Sequence, residues 1–169
     1  MRKTPAQTLL LAGILALAAV RLSAAELPRP GQFAIPFNAY TVEAKPITLA
    51  EYRGKTPVLL AFYQNFCSYC RDEFPVLKKL DEQYAGKGLQ VIVVPIEGEL
   101  TDAKLWSQEF KTTFPVVYDG KGILAKAYGV TKVPTNIFIQ RDGKIAAVHS
   151  GYDQTALEKA AAALATAKQ

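Results

Sequence analysis

The stretch AFYQNFCSYCRDEFP, residues 61–75, contains both cysteines of the chain, Cys67 and Cys70. It begins inside an apolar run, residues 57–63, which is typical of a strand buried on both faces. Apolar residues then recur at helical spacing from residue 68 to about residue 84. The sequence therefore places the cysteine pair where a buried strand ends and a helix begins.

This position predicts a chemical role for the pair. The unpaired backbone N–H groups at a helix N-terminus carry partial positive charge. They favour a thiolate over a thiol, so we expect a lowered pKa for Cys67 and attack by its thiolate on disulfides. Cys70 follows one helical turn later and can resolve the mixed disulfide that results. The spacing thus predicts an attacking cysteine and a resolving cysteine.

Two other uses of the cysteine pair are less consistent with the sequence. A disulfide that closes four residues removes only about 2 kcal/mol of unfolded-state entropy, against about 3 kcal/mol for a 15-residue loop. A zinc site needs four ligands, usually Cys or His, and this chain has two cysteines and one histidine, His149. We therefore favour a redox-active pair over a structural disulfide, and we expect no metal ion and no cofactor.

The rest of the chain alternates strands with helices, and Asp142-Gly143 is a hairpin-turn signal between the last two strands. Thr155 and Glu158 form a capping-box pattern that opens an Ala-rich C-terminal helix. The predicted strands are residues 57–63, 89–95, 135–140 and 145–149, and the predicted helices before the C-terminal one are residues 68–84, 101–111 and 122–128. This order predicts an α/β fold, with a mixed sheet flanked by helices.

The N-terminus has the pattern of a secretory signal peptide. Arg2 and Lys3 precede an apolar run without charge, residues 8–20, and Ser23-Ala24-Ala25 offers small residues for cleavage before residue 26. We expect residues 1–25 to be the signal and residues 26–169 a single domain. The run is shorter than the roughly 20 residues of a spanning helix, and an uncleaved N-terminal anchor is the alternative. No cysteine follows it, so a lipoprotein is not expected.

Charge and cysteine content limit the other function classes. The formal net charge is +5. Three of the positive charges, Arg2, Lys3 and Arg21, lie in the predicted signal, which leaves +2 on the mature domain. There is no basic stripe with interleaved aromatic residues, so nucleic-acid binding is not expected. Two cysteines are too few for a disulfide framework, so the domain must depend on its hydrophobic core.

Several motifs, taken together, resemble the thioredoxin superfamily and are closest to its exported ResA/TlpA/DsbE-type branch. They are AFYQNFCSYCRDEFP (61–75), FPVVYD (114–119), AYGV (127–130), VPT (133–135) and DGK (142–144). The resemblance covers about residues 33–165. It implies a thioredoxin-like fold and a thiol–disulfide oxidoreductase in the periplasm or at the extracytoplasmic face of the membrane. It also implies disulfide-bearing client proteins, apocytochromes c among them, and a membrane protein that supplies electrons.

The resemblance assigns roles to further residues. Pro134 matches the family's cis-proline, whose loop faces the cysteine pair and leaves the backbone of Val133 free to pair with an extended substrate segment. Glu73 matches an acidic residue of the ResA-like branch and shares a helix face with Cys70. The buried Asp of thioredoxin itself is replaced by Ala61, so Glu73 is the candidate for proton transfer to and from Cys70.

The residues around the pair depart from the family pattern. Phe66 stands where the family usually has Trp and keeps an aromatic surface; we expect it to contact the substrate together with Ser68, Tyr69 and Val133. Tyr69 replaces the Pro that is frequent in this branch, and the Ser-Tyr dipeptide helps set the redox potential. The direction of the reaction therefore stays open. A disulfide oxidase or isomerase of the same fold is one alternative to a reductase, and a non-catalytic client-binding module is another.

Other positions receive simpler interpretations. Gln64 stands where thiol peroxidases of the superfamily place Thr or Ser, so a peroxidase is not expected. Trp106 and His149 are expected to be structural. Two interpretations stay open for Arg71, namely stabilisation of the Cys67 thiolate and a solvated charge. No dimerisation segment is apparent, and we expect a monomer.

Overall fold

The computed structural model describes residues 25–167 except Ala85, Lys87 and Glu97. Nearly all of the predicted signal peptide, residues 1–24, therefore lies outside the described residues. The described chain begins with an antiparallel pair of short strands, β1 (Asn38–Tyr40) and β2 (Pro46–Thr48). No helix in the described part of the chain has the length and apolarity needed to cross a membrane.

Four strands form the central sheet: β3 (Val58–Tyr63), β4 (Gln90–Pro95), β5 (Thr135–Ile139) and β6 (Ile145–Ser150). Their order across the sheet is β4-β3-β5-β6. β3 runs parallel to β4, whereas β5 is antiparallel to both β3 and β6. This mixed sheet confirms the predicted α/β architecture, and every residue of β3 is buried, as its continuous apolar run predicted.

Four helices cover the sheet: α1 (Ser68–Tyr84), α2 (Leu100–Glu109), α3 (Ile123–Ala127) and α4 (Gln154–Thr166). Successive residues of β3 face opposite sides. Leu59, Ala61 and Tyr63 pack in the cluster that contains the buried faces of α1 and α4. Val58, Leu60 and Phe62 pack in a second cluster with residues of α3. The site at the end of β3 is therefore held between two apolar layers.

The start of α4 differs from the prediction. Asp153, and not Thr155, is the N-cap, because its carboxylate accepts a hydrogen bond from the backbone N–H of Ala156 at 3.0 Å. Glu158 forms an ion pair with Lys79 of α1 at 3.0 Å instead of closing a capping box. The capping-box prediction was wrong because two suitable cap residues lie two positions apart, and the helix begins at the first.

Candidate active site around the cysteine pair

The cysteine pair lies at the junction of β3 and α1. Cys67 directly precedes α1, and Cys70 lies in its first turn. The two residues form a disulfide with their Cα atoms 5.2 Å apart. The backbone N–H of Cys70 donates a hydrogen bond to Sγ of Cys67 at 3.1 Å. Cys67 is half-buried, whereas Cys70 is 1% exposed, so a large substrate can reach the first sulfur far more readily than the second.

The loop before β5 lies against this disulfide. The peptide bond between Val133 and Pro134 is cis, and the carbonyl oxygen of Val133 lies 3.8 Å from Sγ of Cys67. Pro134 is buried and Val133 is half-buried. The structure therefore brings together the loop and the cysteine pair, which are 66 residues apart in sequence.

Aromatic side chains surround the accessible sulfur. Phe66 is 99% exposed and Tyr69 is 65% exposed, and Ser68 between the cysteines is also exposed. An open groove of about 420 Å³ lies beside them, between the start of α1 and α2. Its lining includes Phe66, Ser68, Leu105 and Trp106. Asn65, Arg71 and Asp102 also line it, so an extended polypeptide would meet a surface of mixed aromatic and polar character near Cys67.

Glu73 is a buried acid one turn after Cys70 in α1, with 3% of its surface exposed. The side-chain amide of Asn136 donates hydrogen bonds to both of its carboxylate oxygens, each at 3.0 Å. Burial raises the pKa of Glu73 to about 7, and the hydrogen bonds from Asn136 act in the opposite direction. Near neutral pH this carboxyl group can therefore both accept and release a proton.

A small residue on the neighbouring strand lies beside the hydrogen-bond partner of this acid. Ala61 of β3 lies opposite Asn136 of β5 in the sheet register, so the two side chains share the face that α1 covers. Ala61 and Cys70 belong to the same buried cluster. Asn136 was missed in the sequence analysis, although a polar residue in the otherwise largely apolar strand TNIFI was a usable signal.

Arg71 lies near the pair in sequence, but its side chain is directed to α2. It forms an ion pair with Glu109, and its guanidinium group lies 5.3 Å from the ring centroid of Phe110 and 5.7 Å from that of Trp106. These contacts favour a role in fastening α2 to α1 over stabilisation of the Cys67 thiolate.

Of the two residues expected to be structural, Trp106 is buried and His149 is half-buried. Trp106 is 5% exposed and stacks on Tyr63 with ring centroids 4.4 Å apart. The ring of His149 lies 5.2 Å from that of Phe138. For Trp106 the burial and the stacking confirm the expectation.

Comparison with known proteins identifies the family. Residues 30–148 match the AhpC/TSA family. The chain belongs to this family. Individual relatives show which members of this family the chain resembles. The chain is 36% identical over 127 residues to the thiol-disulfide oxidoreductase ResA of Halalkalibacterium halodurans, an alignment that covers 74% of this chain and 70% of the relative.

A second relative gives the same assignment. The ResA protein of Bacillus thuringiensis subsp. konkukian is 32% identical over 115 residues, which is 68% of this chain and 66%, just under two thirds, of the relative. Within the AhpC/TSA family the chain is therefore similar to proteins named thiol-disulfide oxidoreductase ResA.

Solved structures agree with this placement. A Chlorobium tepidum protein assigned as the thiol:disulfide interchange protein DsbE superposes with a TM-score of 0.75 and 29% identity, covering 81% of this AhpC/TSA-family chain and 98% of the other. The exposed lipoprotein thioredoxin of Streptococcus pneumoniae has a TM-score of 0.67 and 29% identity, covering 77% and 100%. These similarities confirm the thioredoxin-like fold that the motifs implied.

Proposed function

We propose that this protein reduces disulfides in client proteins through Cys67 and Cys70. One arrangement carries the proposal: Sγ of the half-buried Cys67 accepts a hydrogen bond from the N–H of Cys70 at 3.1 Å and lies 3.8 Å from the carbonyl oxygen of Val133. The buried Cys70 stands directly behind it. The names of the ResA relatives support exchange between thiols and disulfides as the reaction.

The reaction transfers two electrons from the pair to the client. The Cys67 thiolate attacks a client disulfide, so that a Cys67–client bond forms, the client S–S bond breaks and a client thiolate leaves. Cys70 then loses its proton to the Glu73 carboxylate and attacks Sγ of Cys67. The Cys67–Cys70 disulfide forms, and the second client thiolate is released. A reductant must return two electrons to the pair before the next cycle.

Substrate contacts follow from what surrounds Cys67. The backbone of Val133, preceding the cis Pro134, pairs with an extended client segment in the manner of strand addition. The exposed Phe66, Ser68 and Tyr69 supply the contact surface around the sulfur.

The cellular setting belongs to the same proposal. The signal-type N-terminus supports export to the extracytoplasmic side of the membrane, either as a released monomeric domain or on an uncleaved anchor. The pneumococcal structural relative is described as an exposed lipoprotein. An oxidising compartment supplies client disulfides, with apocytochromes c as one client class, and a membrane protein supplies the electrons.

One observation favours a second candidate, a disulfide oxidase or isomerase. The dipeptide between the cysteines is Ser68-Tyr69, and it departs from the pattern frequent in the branch. Because the residues between the cysteines help to set the redox potential, that potential distinguishes the two candidates. The same Cys67 and Cys70 chemistry would then run from the protein disulfide to client thiols.

The reduction potential of the Cys67–Cys70 pair in the mature domain tests the direction. A value near or below about −250 mV, as in thioredoxin, is expected for a reductase, whereas about −120 mV, as in DsbA, would make the protein an oxidant. A Cys70→Ser variant tests the exchange itself, because without the resolving thiol it should accumulate mixed disulfides with clients. If it traps none, a non-catalytic binding module is favoured.

A further inference from the structure

We propose that Asn136 is a positioning residue of the exchange reaction: its amide group holds the Glu73 carboxylate on the Cys70 side of α1, in the ionised form that accepts the Cys70 proton. The inference rests on the proposed function and deepens it. It assigns a role to a β5 residue that lies two positions after the cis Pro134.

The contact between the two side chains carries the proposal. Nδ2 of Asn136 lies 3.0 Å from each carboxylate oxygen of Glu73, and both residues are buried, with 1% and 3% of their surfaces exposed. An amide NH₂ group can only donate. Two donated hydrogen bonds stabilise the carboxylate more than the neutral acid, because hydrogen bonds to an ionised acceptor are the stronger ones.

The strand geometry fixes this donor. Asn136 lies between Ala61 of β3 and His149 of β6 in the sheet register, so its backbone is held on both sides. Its Oδ1 is buried and has no hydrogen-bond partner within the described chain. The opposite orientation would place Oδ1, which only accepts, against the carboxylate oxygens, so the acid determines that the NH₂ group faces it.

Other groups near Glu73 do not replace this donor. None of the ion pairs found among the described residues includes Glu73. On β3 the nearby phenol is Tyr63, whose pKa is raised by burial, so it stays neutral. Beyond β6, Tyr152 has a pKa raised by burial and by the charges of Asp72, Glu73 and Glu158. His149 of β6 also lies on the face of Asn136, as its partner in the sheet register.

Loss of the amide has a defined consequence. Burial alone disfavours the charged carboxylate, so without Asn136 the acid holds its proton to higher pH. At neutral pH it is then already protonated and cannot take the proton of Cys70. The first step, attack by Cys67, does not need this transfer and should be little affected.

The test uses the reduced mature protein and two readouts. Carbon NMR of the Glu73 carboxyl group follows its protonation directly. Reaction with dithionitrobenzoate releases one thionitrobenzoate when Cys67 attacks and a second when Cys70 resolves, so the two steps are timed separately. In Asn136→Leu, which lacks a donor, we expect the Glu73 titration to move up by about one to two pH units. We also expect the second release to slow about tenfold or more near neutral pH, and to recover at higher pH.

Two further variants make the result specific. Asn136→Ser keeps one O–H donor and should show a smaller shift, and it serves as the test variant if Asn136→Leu does not fold. In a Glu73→Gln background, Asn136→Leu should cause no additional change in the pH profile of the second step. His149→Phe alters packing on the same face and should leave the Glu73 titration nearly unchanged.

The outcomes separate this inference from the proposed function. An unmoved Glu73 titration in both Asn136 variants, or an equal shift in His149→Phe, would overturn the role of Asn136. If the titration and the second release shift as expected but no protein disulfide is reduced, the positioning role stands and the proposed client reduction fails.

Discussion

The backbone N–H of Cys70 donates a hydrogen bond to Sγ of Cys67 across 3.1 Å. This geometry follows from the boundary between β3 and α1, because Cys67 immediately precedes the first turn of the helix. A free N–H at a helix start is a better partner for a thiolate than for a thiol. The same bond that orients the oxidised pair therefore favours the attacking species once the pair is reduced.

The first prediction concerns the reactivity of Cys67. In a Cys70→Ser variant, iodoacetamide should alkylate Cys67 at about pH 6 at least about tenfold faster than an unperturbed thiol, because the helix start favours the thiolate. Mass spectrometry of samples quenched over time gives the rate. Addition of Arg71→Gln should change that rate by less than about twofold, since Arg71 is paired with Glu109 and exposed charges act weakly.

The Cys67→Ser variant supplies the control. It retains Cys70, which is 1% exposed, and should be alkylated far more slowly. If Cys67 reacts no faster than a free thiol, or if removal of the Arg71 charge abolishes its reactivity, the helix N-terminus is not what activates it.

The second prediction concerns stability and pH. The pKa of Glu73 rises from 4.5 to about 7 on folding, chiefly because of burial. Between these values the folded protein binds a proton that the unfolded chain has lost, so the free energy of unfolding falls as pH rises through this window. The contribution of Glu73 is about 3 kcal/mol, fully present below the window and lost above it. Urea denaturation of the oxidised protein at several pH values measures it.

Glu73→Gln should remove this pH dependence. Glu82→Gln, at an exposed glutamate of the same helix, should preserve it. If the Glu73→Gln protein keeps the pH dependence of the parent, the pKa of Glu73 is the same in the folded and the unfolded protein.

The local elements of the site could be predicted from the sequence, whereas one of its contacts could not. The apolar run of β3 and the helical spacing of α1 are local patterns, and they located the Cys67–Cys70 boundary. The pairing of Asn136 with Glu73 joins residues 63 positions apart. It exists because β5 inserts beside β3 and brings Asn136 opposite Ala61. No local pattern encodes that neighbourhood.

Some assignments depended on resemblance instead of pattern. A cis bond before Pro134 cannot be deduced from hydrophobic periodicity, and the family motif supplied it. For the N-cap of α4, local chemistry did not decide between two candidates, because Asp153 and Thr155 are both good N-cap residues. The packing of α4 against α1 includes the Lys79–Glu158 ion pair, which uses the glutamate that the capping box required.

The third prediction concerns Trp106, the one tryptophan of the chain. It is a residue of α2, is 5% exposed, and packs on Tyr63 of β3 and Phe74 of α1 with ring centroids 4.4 Å and 4.7 Å away. Trp106→Ala should lower the free energy of unfolding by about 3–5 kcal/mol, because the large side chain leaves a cavity. Leu105→Ala, at the neighbouring position, removes a side chain that is 62% exposed and should cost less than about 0.5 kcal/mol. Equal losses in both variants would contradict the packing described for α2.

The last prediction separates binding from chemistry at Phe66. This side chain is 99% exposed, so it contributes almost nothing to folding, and Phe66→Ala should change the free energy of unfolding by less than about 0.5 kcal/mol. When a client covers this exposed ring, burial of the ring should stabilise the complex by about 1.5–3 kcal/mol. The rate of reduction of a protein disulfide, such as that of insulin, should therefore fall about tenfold or more.

A small disulfide supplies the matched comparison. Hydroxyethyl disulfide reaches Cys67 without covering Phe66, so Phe66→Ala should leave its rate of reduction nearly unchanged. Equal losses with insulin and with the small disulfide would show that Phe66 acts on the reactivity of Cys67. No loss with either would show that clients do not cover Phe66 when they react with Cys67. The ratio of the two rates thus reports whether the aromatic surface beside Cys67 recognises polypeptide.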